Sequence, residues 1–297
     1  MKSALLNQFR GVLWGLALAD WRRLKSNGAQ SSLPLTVSPW LQQLTALASA
    51  ETSQALADAL ESDCINISTA PLAIALAQMP RLLLLHQHSA RLQSLAQSLT
   101  AVRQPVTNET LTLCWLTSAV LDLALQDQLS SAASLQLDLA SLQPPDFPLV
   151  ASGQQPVWQG LLSRLEPACQ QPTGLQAWQS QLETLETPLQ FQPFWLALYI
   201  VLTTPHDYGL AIERSLRAIA QPDLTAALVG AWLGAKLGQS GLPLAWQSDF
   251  SRAAGSGSVP LSALQIQTLA DRLFARWCGI SGWRVGNGGP LPAIALP

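Results

Sequence analysis

The run AALVGAWLGAKLG, residues 226–238, places Ala227, Gly230, Ala231, Gly234, Ala235 and Gly238 at steps of three and four, one nearly side-chain-free seam along a helix. Each interior glycine costs about 1 kcal/mol of helix propensity relative to alanine, so three at four-residue spacing call for a packing reason: a second backbone in close approach. A membrane dimer motif is the competing reading of such a seam. Lys236 and Gln239 end the apolar run short of the roughly 20 residues a span needs, so the expectation is a close-packed helix inside a soluble protein. Ahead of it, Ile212, Leu216 and Ile219 are spaced as a helix that Gln221-Pro222 breaks, and Asp223 stands where an N-cap belongs.

The same periodicity predicts helices over 9–20, from Trp40, over 52–60, 70–76, 81–103 and 108–126 with Thr107 or Asn108 as cap, and over 193–202, 208–220 and 261–278. Leu142 to Pro156, Pro167 to Gly174 and Ser251 to Pro260 read as loops or linkers from their proline, glycine and serine content. No stretch alternates with period two for long enough to make a sheet. The fold class expected is all-α, a single compact multi-helix domain over residues 1–281 followed by a flexible tail over 282–297.

Charged residues make up only 11% of the 297 and the net charge is −2, which leaves no basic footprint for nucleic acid. Arg22, Arg23 and Lys25 form one small cluster, read as a solvated helix end. Cys64, Cys114, Cys169 and Cys278 are far apart, fit no zinc ribbon and suggest small buried groups in a reducing compartment. The start, Lys2 followed by GVLWGLALA, could pass for a signal peptide; Phe9, Val12, Leu13 and Leu16 at helical spacing favour a core helix and a cytoplasmic protein.

Ala226-Ala227, Gly230-Ala231, Gly234-Ala235 and Gly238, closed by Leu242-Pro243 and Trp246, resemble the signature of the ADP-ribosylglycohydrolase family. The resemblance implies an all-helical, dimagnesium enzyme that removes ADP-ribose from modified proteins and related substrates. The family's Gly-Gly-Asp-Thr-Asp-Thr loop is not kept: Asp223 takes the place of its second aspartate, Gln221 of its first, and Leu224 of the threonine that follows. Residues 9–20 resemble the family's opening helix, with Asp20 matching its aspartate and Trp21-Arg22-Arg23 in place of small residues. Thr36-Val37-Ser38-Pro39 stands where the family places Thr-Asp-Asp-Thr, and no Asp or Glu occurs between Asp20 and Glu51.

Two Mg²⁺ ions about 4 Å apart need several shared carboxylates, and neutral oxygens do not replace that charge. The expectation is therefore a family member without its metal centre: no cofactor, with Mg²⁺ only if the site has been rebuilt. Asp20 and Asp223 are the candidate catalytic residues, and Gln221, Asp223, Thr225 and Thr36 the candidate ligand-binding ones, with Asp223 the vestigial metal position. The favoured function is a catalytically inactive binding or interaction module for an ADP-ribose-like small molecule or a protein partner. The alternatives are an active hydrolase with a rebuilt, metal-free site using Asp20 or Asp223 as general base, and a helical scaffold subunit with no ligand. Trp14, Trp40 and Trp232 could line a cleft and stack on an adenine, or fill the core with their N–H groups satisfied. His86 and His88 stand two apart, the wrong spacing for joint ligation on a helix, and His206-Asp207 reads as surface polarity between helices.

Overall fold

Two helices buried on all sides form the axis of the fold. Helix α1 (Lys2–Gly28) has every residue from Gly11 to Trp21 buried, and helix α10 (Pro222–Leu237) every residue from Leu224 to Ala235. A helix apolar all round belongs in the centre of a protein, and no helix among the described residues is long and apolar enough to cross a membrane. The computed structural model describes residues 2–28, 38–50, 55–56, 71–84, 107–129, 155–171, 174–185, 187–219 and 221–279.

The two central helices run antiparallel with their glycines reciprocally apposed. A Cβ on Gly11 would strike the Gly234 carbonyl, one on Gly15 the Gly230 carbonyl, and one on Gly230 would come within 2.9 Å of the Ala19 Cβ. Gly238, at φ +67°, ends α10 where its hydrogen atom faces Asn7, whose side chain holds Ser240 through bonds of 3.0 and 3.3 Å. The seam expected from the sequence is there, and its partner is the opening helix. The segment with signal-peptide composition is thus a core element.

Around this pair the described residues form one all-helical domain, with no strand among them: α2 (Pro39–Ala48), α3 (Pro71–Ala77), α4 (Met79–Leu84), α5 (Asn108–Leu125), α6 (Gln155–Gln170), α7 (Leu175–Thr184), α8 (Gln192–Thr203), α9 (Tyr208–Ser215), α11 (Leu244–Gly255) and α12 (Ala263–Trp277). Thr107 caps α5 by accepting from the Thr110 amide at 3.3 Å, and Asp207 caps α9 by accepting from Leu210 at 2.9 Å. Ser262 and Gln265 make a reciprocal capping box on α12, with bonds of 3.2 and 2.8 Å. Helix α12 lays Ile266, Leu269, Ala270 and Leu273 on the core, and a two-pronged Arg10–Asp271 pair at 2.7 and 2.8 Å ties it to α1.

Several boundaries differ from expectation. Helix α9 stops at Ser215, five residues before Ala220, and Ile219 is 76% exposed in the link to α10. Pro167 to Gln170 and the pair Gln155-Pro156 lie inside α6, and Ser251 to Gly255 inside α11, where composition suggests loops. Pro167 sits in the last turn of α6 between buried Leu165 and Ala168, so packing on the core outweighs the one hydrogen bond it cannot donate. Helix α7 was not expected; Leu175, Trp178 and Leu182 carry its apolar face. Of the helix expected over 52–60 only Ala55 and Leu56 are described, of 81–103 only 81–84, and the tail over 282–297 and Cys64 lie outside the described residues.

Gly230→Ala and Gly160→Ala should move stability in opposite directions. Gly230 has no room for a methyl group, and overpacking there should cost about 3 kcal/mol, overriding its gain in propensity. Gly160, inside α6 with nothing within 4 Å of a Cβ position, should gain about 1 kcal/mol. Urea unfolding of the two variants checks both signs.

Candidate functional site

On α1 and α10 the contacts descend by four for every four: Asn7 with Gly238, Gly11 with Gly234, Gly15 with Gly230. That register brings residues 19–23 alongside 222–226, so Asp20 and Asp223 lie at the same end of the helix pair. Tyr208, at the start of α9, pins this end by donating from its hydroxyl to the Gly15 carbonyl at 2.6 Å. Trp246 packs edge-on against Tyr208, with ring centroids 5.9 Å apart, and carries the Arg22 guanidinium over its face at 5.2 Å.

Asp20 stands in the interior of α1 and is 2% exposed, not at a helix end. One carboxylate oxygen accepts from Arg23 Nε at 2.9 Å; the other, Oδ2, has no hydrogen-bond partner among the described residues. Ser38, which leads into α2, is the nearby polar group that acts on this carboxylate, and its own hydroxyl has no hydrogen-bond partner among the described residues. Burial pushes the Asp20 carboxyl above the usual carboxylate range, while Arg23 first and Ser38 second pull it back. A carboxylate so enclosed is a poor general base for a substrate in solution.

The first turn of α10 is built differently from expectation. Its N-cap residue is Gln221, in the left-handed region at φ 46°, and Pro222 occupies the first helical turn. Asp223 is therefore not the cap: it sits one position inside the helix, half-buried, where its charge favours the positive end of the helix dipole. The Gln221 carbonyl accepts from the Thr225 amide at 3.1 Å and from the Thr225 hydroxyl at 3.2 Å, and Thr225 is fully buried. Of the four expected ligand-binding positions, only the exposed Gln221 side chain and the Asp223 carboxylate are open to a ligand; Thr36 lies outside the described residues.

The basic cluster is not a solvated helix end. Arg23 is enclosed against Asp20, and Arg22 pairs with Glu213 at 2.6 Å besides stacking on Trp246. Lys25 is half-exposed, 5.0 Å from the Trp21 ring centre and 3.6 Å from Asp249. The i, i+3 spacing of Asp20 and Arg23 was the sequence signal for their pairing. Trp14, Trp40 and Trp232 line no cleft: they are 3%, 2% and 0% exposed, with Trp14 against Phe250 and Trp232 against Phe194. Their indole N–H groups are nonetheless unsatisfied among the described residues.

A profile of the ADP-ribosylglycohydrolase family matches residues 59–280. The chain belongs to that family. No curated protein matches it. Among the described residues, the donors at this end do not make up a site for the family's two Mg²⁺ ions. Asp20 is already neutralised by a guanidinium, Asp223 is a single carboxylate, and the described residues hold no group of three His, Cys, Asp or Glu that could ligate a metal.

The raised Asp20 pKa means that the folded protein binds this proton more tightly than the unfolded chain does. Stability should therefore fall as pH rises from the ordinary value of 3.8 through the raised one. Asp20→Asn should remove that part of the slope. Urea unfolding at a series of mildly acidic pH values, wild type beside variant, measures it.

Proposed function

We propose that this ADP-ribosylglycohydrolase family member has given up metal-dependent hydrolysis and works as a binding or interaction module. The observation that supports the reading best is the enclosure of Asp20: the residue is buried and Arg23 takes one of its two oxygens, which leaves only Oδ2 where a pair of metal ions would need several carboxylates. The absence of any Asp or Glu between Asp20 and Glu51 points the same way, because no shift of register can bring a carboxylate to that loop. The ligand suggested by family membership is an ADP-ribose-like small molecule, received at the end of the α1–α10 pair where Gln221 and Asp223 are open. Where that end takes no small ligand, a protein partner takes its place.

Isothermal titration of ADP-ribose, run once with Mg²⁺ and once with EDTA, tests this reading. Binding unchanged by EDTA, with no product released on incubation with an ADP-ribosylated protein, is the expected result. Binding that requires Mg²⁺, or release of free ADP-ribose that Asp223→Asn abolishes, would overturn it in favour of a hydrolase with a rebuilt site. No heat in either buffer from folded protein would turn the reading towards a protein partner.

A further inference from the structure

The ends of four helices meet around Tyr199, and nearly every polar side chain they bring is a hydrogen-bond donor. Tyr199, on α8, is fully buried, and its hydroxyl has no hydrogen-bond partner among the described residues. A buried hydroxyl left unpaired costs about 1–3 kcal/mol, so the fold retains it against a penalty. The ring is stacked on Trp178 with centroids 5.6 Å apart, which fixes the direction of the hydroxyl.

Arg214, on α9, lies half-buried beside it, its guanidinium 5.8 Å from the Tyr199 ring centre. One nitrogen, Nη1, donates to Thr203 Oγ1 at 3.0 Å and to Thr204 Oγ1. The other two nitrogens, Nε and Nη2, donate to nothing among the described residues, and Arg214 has no carboxylate in ion-pair contact there. A cation at the C-terminal end of α8 is favoured by the helix dipole, which accounts for the Nη1 contacts. It accounts for neither the idle nitrogens nor the unpaired phenol.

The third contribution is backbone. Gly174 precedes α7 as its N-cap residue, at φ +89°, with no side-chain cap and no acidic residue in the first turn. A Cβ there would meet nothing within 4 Å, so the bare helix end faces open space. The Gly174 backbone and the Arg214 guanidinium act on the Tyr199 hydroxyl from close by, though neither is aligned to bond it. Cys169, at the end of α6, completes the rim. Its thiol is pushed up to about 11, by burial first and Glu166 second, with Arg214 pulling back, so it stands as S–H and brings no negative charge. Among the described residues, Glu166 is the acid that acts on Cys169, and its carboxylate is occupied in part by the Gln170 amide at 3.2 Å.

Among the described residues, no carboxylate reaches Arg214 or the Tyr199 hydroxyl to answer these donors. We infer that the Gly174 backbone, Tyr199, Thr204 and Arg214 form a subsite for a phosphoryl group, free or carried by a small molecule. It involves none of the residues of the α1–α10 end and stands whether or not the reading of that end holds.

Inorganic phosphate is the first probe: thermal unfolding and isothermal titration at matched ionic strength, phosphate against chloride. Wild type should be stabilised by phosphate over chloride. Arg214→Met should weaken phosphate binding by about 10- to 100-fold and Tyr199→Phe by about tenfold, the factors for losing charge-assisted bonds. Arg252→Met, which removes an exposed cation of α11 outside both sites, should bind phosphate as wild type does. Arg214→Lys and Tyr199→Phe keep charge and ring respectively, so a folding failure of Arg214→Met leaves the test intact. Repeating the titration with ADP-ribose separates the sources: sensitivity to Arg214 for both ligands assigns the site to a carried phosphate, and for phosphate alone to the free ion. No preference of wild type for phosphate over chloride, or equal binding by the folded Arg214 and Tyr199 variants, would overturn the inference.

Discussion

The backbone-to-backbone contact of α1 with α10 is the constraint from which the rest of the molecule is arranged. Most helix pairs are held apart by side chains at 8–10 Å between axes. Here glycine faces glycine, so carbonyl oxygens and Cα atoms touch directly and dispersion contacts form along the whole seam. The pair can slide only in steps that place a methyl group or larger against a backbone, which fixes its register. That register decides which residues share an end of the pair. Asp20 and Asp223 lie at one end because Gly11 and Gly15 lock onto Gly234 and Gly230.

Within that end, charge has been balanced by the chain itself. Asp20 is matched by Arg23 three residues on, and Glu213 by Arg22, which also covers Trp246. A buried carboxylate with an arginine at 2.9 Å has much of its demand for positive charge met, and a divalent ion would have to displace that guanidinium as well as its own water. Asp223, in the first turn of α10, has the positive end of the helix dipole as an electrostatic complement.

The seam and the core helices were legible in the sequence because both depend on periodicity, which is local information. The Thr107 cap was legible for the same reason, and the family signature is borne out over residues 59–280. Boundaries were not. Pro167, Gln155-Pro156 and Ser251 to Gly255 carry loop-like composition and are helical because neighbouring elements pack on them, a tertiary effect that composition does not contain. Asp223 was displaced from the cap by Pro222, whose fixed φ suits the first helical turn and moves the start two residues earlier. The unsatisfied indoles of Trp14, Trp40 and Trp232, and the meeting of Gly174, Tyr199 and Arg214, depend on three-dimensional placement alone.

The bond from Tyr208 to the Gly15 carbonyl joins residues 193 apart in sequence, and the Asn7–Ser240 contact spans 233. At ordinary elongation rates of about 5–20 residues per second, α1 leaves the ribosome roughly 10–40 s before its partner exists. For that interval the apolar helix must wait without the glycine seam of α10 that covers it. Burial of the central axis is therefore among the last events of folding, and until then α1 is a point of exposure to misassociation and of dependence on chaperones.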